Sequence, residues 1–207
     1  RTGVASVRPC AGPVSGGTYV TLTGLQTDRT FTCRFGMTMV VGQIDGVGKT
    51  VCQAPATEVS GAVAVQVKQA GSEDTFEYEY YANPSIARVW PTRGNVGGGT
   101  VVSVAGEGLR AGGVQCRFGN VGVVGGDKAR YLTSTLVACI APMAVSELRV
   151  HIDLSLNDGT DFVMTGYDFI YEAAAVVEEL IPSRGESGSV GEAQTVTILG
   201  QHFSRSE

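Results

Sequence analysis

A chain of 207 residues, 43% hydrophobic and 17% charged, carries enough apolar side chains to bury a core, which excludes an intrinsically disordered segment. A net charge of −5 with no basic stripe excludes a nucleic-acid-binding surface. No apolar run approaches the roughly 18 residues of a membrane span, so no direct membrane insertion is expected.

Taken in chain order, the first landmarks are Val7-Arg8-Pro9, a Gly16-Gly17-Thr18 turn and the alternating stretch Val20-Thr21-Leu22-Thr23-Gly24. Val20 and Leu22 then face one way and the threonines the other, the period of a strand with one buried face. Cys33-Arg34-Phe35-Gly36 follows, then Val51-Cys52-Gln53-Ala54-Pro55. Val63, Val65 and Val67 alternate with Ala64, Gln66 and Lys68 in a further strand, and Gly71-Ser72 marks a hairpin. Tyr78 and Tyr80, in Tyr78-Glu79-Tyr80, are expected to face the core.

The same landmarks then return in the same order. Val89-Trp90-Pro91, Gly98-Gly99-Thr100 and Val102-Ser103-Val104-Ala105-Gly106 lead to Cys116-Arg117-Phe118-Gly119, Ala138-Cys139-Ile140-Ala141-Pro142 and Phe169-Ile170-Tyr171. Leu148, Val150, Ile152, Leu154 and Leu156 alternate with Arg149, His151, Asp153 and Ser155, and Asn157-Asp158-Gly159 supplies a tight hairpin turn. A third copy begins with Leu180-Ile181-Pro182 and Gln194-Thr195-Val196-Thr197-Ile198-Leu199-Gly200, but has no counterpart of either cysteine motif. A unit repeated head to tail implies small modules in a row rather than one enzyme core. The boundaries expected are 1–82 and 83–173 for two modules and 174–207 for the start of a truncated third, so the chain is expected to be a fragment of a longer protein. Ala173 to Leu180 is expected to be a linker that feeds the next first strand.

Four of the five cysteines obey the repeat. Cys33 matches Cys116 and Cys52 matches Cys139. They are either buried free thiols or one disulfide per module, and the second reading implies an oxidising compartment. Zinc is disfavoured, because the pairs lack C-x-x-C spacing and neither histidine is near. Cys10 stands where the other copies have Thr92 and Ser183; it is either a free thiol or the partner of a cysteine outside this segment.

Catalytic signals are weak. Gly46-Val47-Gly48-Lys49-Thr50 resembles the tail of a phosphate-binding loop, but the pattern needs glycine where Gln43 stands, and a strand rather than a helix follows. The glycine-rich stretch from Gly94 to Gly99 also runs into a strand, so no helix terminus is available to hold phosphate. His151 and His202 have no repeated nucleophile or acid beside them. Asp153, Asn157, Asp158 and Asp161 have the composition of a calcium loop, yet the hairpin turn already explains Asn157 to Gly159. No cofactor and no metal is expected. Trp90 is expected beside a module junction.

These residues together resemble the IPT/TIG family of immunoglobulin-like modules. The resemblance rests on Pro9, Gly12, Gly16, Gly17, Thr18, Gly24, Cys33, Phe35, Gly36, Cys52 and Pro55 in the first copy. In the second it rests on Pro91, Gly94, Gly98, Gly99, Thr100, Gly106, Cys116, Phe118, Gly119, Cys139 and Pro142. The third copy departs where Gly191-Glu192-Ala193-Gln194 replaces the plain Gly-Gly turn. The resemblance implies an all-β fold: tandem Ig-like (E-set) β-sandwich modules arranged as a rod. It carries over no catalytic residues, so no enzyme is expected. The function implied is an extracellular structural or adhesive array of a cell-surface or surface-filament protein, such as a ciliary hair. The alternatives are a receptor ectodomain stalk or an accessory glycan-binding module of a secreted enzyme. The expected partners are other protein chains or further modules of the same chain, with carbohydrate as a second class.

Overall fold

The computed structural model describes residues 3–26, 30–184 and 195–203. The alternating stretches become strands, and no α-helix occurs among the described residues. The first copy contributes β1 (Ser6–Arg8), β2 (Ala11–Pro13), β3 (Tyr19–Thr23), β4 (Phe31–Phe35), β5 (Thr38–Val41), β6 (Gln43–Ile44), β7 (Thr50–Gln53), β8 (Gly61–Gln69) and β9 (Ser72–Tyr81). The second contributes β10 (Ser85–Trp90), β11 (Arg93–Asn95), β12 (Val101–Glu107), β13 (Gln115–Phe118), β14 (Gly122–Gly125), β15 (Ala129–Thr133), β16 (Leu136–Ile140), β17 (Leu148–Ser155) and β18 (Val163–Glu172). From the third copy come β19 (Val176–Ile181) and β20 (Thr197–Gln201), paired antiparallel.

Each of the first two copies is a sandwich of a four-stranded and a five-stranded sheet. The orders are β1-β3-β7-β6 with β2-β9-β8-β4-β5, and β10-β12-β16-β15 with β11-β18-β17-β13-β14. Matching strands occupy matching places, so the repeat in the sequence is a repeat in topology. The opening segment changes sheets: β1 pairs antiparallel with β3, whereas β2 runs parallel to β9. A cis peptide bond precedes Pro9, Pro91 and Pro182.

The Gly-Gly-Thr turn has a packing reason. Gly16 and Gly98 have φ of 70° and 75°, and a Cβ on either would strike backbone, that of Ala54 to Ala56 or of Ala141 to Met143. The next glycine donates its N–H to the Ala54 carbonyl at 2.8 Å, or to the Ala141 carbonyl at 2.9 Å. The turn therefore clamps the segment that follows the second cysteine of each module.

Inward-facing residues of both sheets make each core. Val20, Leu22, Phe35, Val65, Val67 and Tyr78 are buried in the first sandwich; Val102, Val104, Phe118, Ile152, Leu154 and Phe169 are buried in the second. Phe35 meets Tyr78 edge to face at 5.3 Å, and Phe118 meets Phe169 at 5.5 Å, the offset geometry that ring quadrupoles favour. Tyr78 and Tyr80 face inward as the alternation predicts.

Several local expectations need correction. The hairpin of the first sandwich turns on Ala70 and Gly71, and Ser72 already pairs with Gln69 as the first residue of β9. The expected linker from Ala173 gives way to strand at Val176, because that segment pairs with β20. The outer face of β17 is solvated only in part: Asp153 and Ser155 are buried, at 6% and 0% exposure. Asp153 is held by the Arg117 guanidinium, which donates through Nε at 2.9 Å and Nη2 at 2.8 Å and lies 4.2 Å from the Phe162 ring centre. The altered turn Gly191 to Gln194 lies outside the described residues.

Candidate functional site: the joint between the two modules

A connected set of polar side chains lies where the two sandwiches meet. Only Ala82, Asn83 and Pro84 separate β9 from β10. Ala11 on β2 and Tyr81 at the end of β9 belong by sequence to the first copy, but both are buried in the apolar cluster of the second. Arg110 bridges the copies. Its guanidinium lies 5.2 Å from the Tyr81 ring centre, donates to the Glu79 carboxylate, and donates to the Leu156 carbonyl at 3.3 Å.

The hairpin after β17 completes the joint. Asp158 and Gly159 have φ of 58° and 77°, the left-handed pair of a type I′ turn. That turn presents Asn157, 3% exposed, to the first sandwich. The Asn157 amide donates to Asp161 Oδ2 at 2.8 Å and to the Ala11 carbonyl at 3.3 Å. Its Oδ1 accepts from the Ser155 hydroxyl at 3.1 Å and from the Asp161 N–H at 3.0 Å. Asp161 Oδ2 also accepts from the Thr18 hydroxyl of the first copy at 2.5 Å. A partly buried polar network of this kind favours one relative placement of its parts, because a slip leaves its donors unpaired.

The joint also perturbs its tyrosines. Burial drives the Tyr78 and Tyr81 phenols well above the ordinary value, and the Asp161 charge pushes both further; Thr18 opposes at Tyr78 and Arg110 at Tyr81. Burial alone pushes Tyr80 and Tyr171 up to about 12. A folded pKa above the unfolded one means that the neutral phenol is favoured by folding. This contribution is complete below about pH 10, the unfolded value, and is lost as pH rises toward the folded values. Urea midpoints are expected to hold up to about pH 10 and then fall, with tyrosinate absorbance appearing together with unfolding. A tyrosinate signal that rises fully while the fold stays intact would contradict this.

The residues singled out in the sequence fall as follows. Cys33 on β4 is bonded to Cys52 on β7, and Cys116 on β13 to Cys139 on β16, with Cα separations of 6.4 and 6.3 Å. Each bond ties the two sheets of one sandwich together. Cys10 is exposed and makes no disulfide within this chain, and its carbonyl accepts from the Glu79 N–H at 2.9 Å. His151 is exposed beside Asp168, and His202 has a φ of 60° just after β20. The residues weighed for calcium have other partners: Asp153 holds Arg117, and Asp161 holds Thr18 and Asn157. Among the described residues no group of three His, Cys, Asp or Glu side chains is placed to hold a metal. Thr50 opens strand β7 rather than a helix. Trp90 sits at the end of β10 away from the link to the first copy, 36% exposed, with the Arg88 guanidinium 5.2 Å from its ring.

Ala11, Tyr81, Arg110 and Asn157 escaped the reading of the sequence as joint residues. The signal lies in departures from the repeat. Where the first copy has Ala11 and Tyr81, the second has Arg93 and Glu172, which pair with each other. An apolar pair in one copy against an ion pair in the other marks a surface that one copy buries.

The IPT/TIG domain family model matches residues 84–171. Human plexin-B1 is 33% identical over 142 residues, a match covering 62% of this chain and 6% of that protein. Plexin-2 of Caenorhabditis elegans is 30% identical over 115 residues, covering 53% of this chain and 6% of that protein. Among solved structures, the full extracellular region of plexin A4 superposes with a TM-score of 0.53 at 19% identity, covering 96% of this chain and 20% of that one; this likeness shows the fold.

Proposed function

We propose that this chain is a non-catalytic structural and adhesive array of IPT/TIG-type modules within a large surface or surface-filament protein of the extracellular space or cell surface. The observation that supports this most is the joint. Side chains of one module are buried in the core cluster of the next, and the Asn157–Asp161–Thr18 network favours one placement of the two. An array whose task is to hold distance and direction needs such a joint; a string of independent binding modules does not.

The experiment is immunogold electron microscopy on intact cells of the source, with antibodies raised against this segment. Label along an external filament or surface coat is the expected result, and label confined to the cell interior would refute the proposal. The plexin relatives favour a second reading, a receptor ectodomain stalk, which label restricted to the plasma membrane would support.

A further inference from the structure

The four-stranded sheet of the first sandwich has an outer face unlike its counterpart. One register row crosses it: Arg8 on β1, Thr21 on β3, Val51 on β7 and Gln43 on β6. Val51 points away from the core side, where Cys52 lies, yet it is only 3% exposed, so the row sinks into a cleft between taller side chains. Tyr19 stands beside the row and is 52% exposed. Asp158 and Thr160, from the hairpin of the second sandwich, line the cleft together with Asp45 and Lys49 of the first. The volume is about 670 Å³, within the roughly 300–1,000 Å³ usual for small-ligand sites, which favour boundaries between domains.

The lining defines the ligand. Arg8 and Lys49 are balanced by Asp45 and Asp158, so the cleft has no excess charge to select an anion or a cation. The lining supplies both donors and acceptors, one aromatic ring and the apolar Val51. A molecule that offers hydroxyls at its rim and an apolar ring face at its centre satisfies both, because the Tyr19 ring can stack on C–H groups while the rim bonds hydroxyls. We propose that this cleft binds a neutral oligosaccharide, with Tyr19 as the stacking platform and Gln43, Arg8 and Asp158 as hydrogen-bonding partners. The matching row of the second sandwich is Trp90, Ser103, Ala138 and Arg130, with Val101 in place of Tyr19. That row has Arg130 in place of the Gln43 amide and no tyrosine at the place of Tyr19, so the site belongs to the first sandwich and its joint.

The test uses the intact 207-residue chain on an array of neutral and acidic oligosaccharides, followed by calorimetric titration with the strongest neutral one. Binding of neutral sugars is expected, weakened about tenfold or more by Tyr19→Ala and by Gln43→Ala. Tyr19→Phe, which keeps the ring, retains it, and Val123→Ala, on a distant edge, leaves it unchanged. Thermal midpoints run in parallel separate lost binding from lost folding; if Tyr19→Ala is unstable, Gln43→Ala and Asp158→Ala decide. Absence of any neutral ligand would overturn the proposal. So would binding that survives the Tyr19 and Gln43 substitutions, or binding of acidic glycans alone that disappears with salt.

Discussion

Replacing Cys116 and Cys139 together by alanine is expected to destabilise the second sandwich by about 3 kcal/mol. Their separation of 23 residues sets the loop that the bond removes from the unfolded ensemble. Both residues are fully buried, so the lost sulfur contacts add a cavity term in the same direction. The first sandwich keeps Cys33–Cys52 and is expected to hold its own transition, so denaturant unfolding that is single in the parent should split into two. Guanidinium titration read by near-ultraviolet circular dichroism measures both. An unchanged midpoint would mean that the bond contributes nothing to this fold, and the argument from oxidising surroundings would lose its physical basis.

Asp161→Ala is the second large effect, and it reaches both stability and geometry. The substitution strips the acceptor from the Asn157 amide and the Thr18 hydroxyl at once. Leaving buried donors unpaired costs about 1–3 kcal/mol. It also unlocks the joint, because Thr18 belongs to the first copy and Asn157 to the second. Residual dipolar couplings of the parent should fit a single alignment tensor across both sandwiches. In the variant the two should need separate tensors, while each sandwich keeps its own internal couplings. Asp161→Asn, which retains an acceptor oxygen, should fall between. A variant that still fits one tensor would show that the short link and the Tyr81 burial suffice, and the case for the polar network as the lock would fail.

How legible the molecule was depended on distance along the chain. Period-two stretches such as Val20 to Leu22 and Leu148 to Leu156 announce strands because neighbouring side chains in a strand point to opposite faces. Where the outer face meets more protein, this rule misplaces residues: Asp153 and Ser155 lie opposite the core-facing side chains of their strand and are nonetheless buried. The Asn157-Asp158-Gly159 turn was legible as a turn, but its use as a contact with the other module was not. Nothing local in Asn157 distinguishes a capped surface turn from a buried clamp. The cleft was less legible still, since Arg8, Tyr19 and Gln43 come from three strands brought side by side only by sheet register.

The sequence by itself determined the repeated unit, its alternating strands and the kind of residue at each inward position. These follow from backbone sterics, alternation and turn chemistry, all short-range and repeated twice along the chain. Only the tertiary structure decided how one module sits on the next. That choice rests on Ala11, Tyr81, Arg110, Asn157 and Asp161, which depart from the repeat, and on Thr18, which keeps it but takes a partner from the other copy. Their burial and their hydrogen bonds exist only once both sandwiches have formed, so no local pattern encodes them.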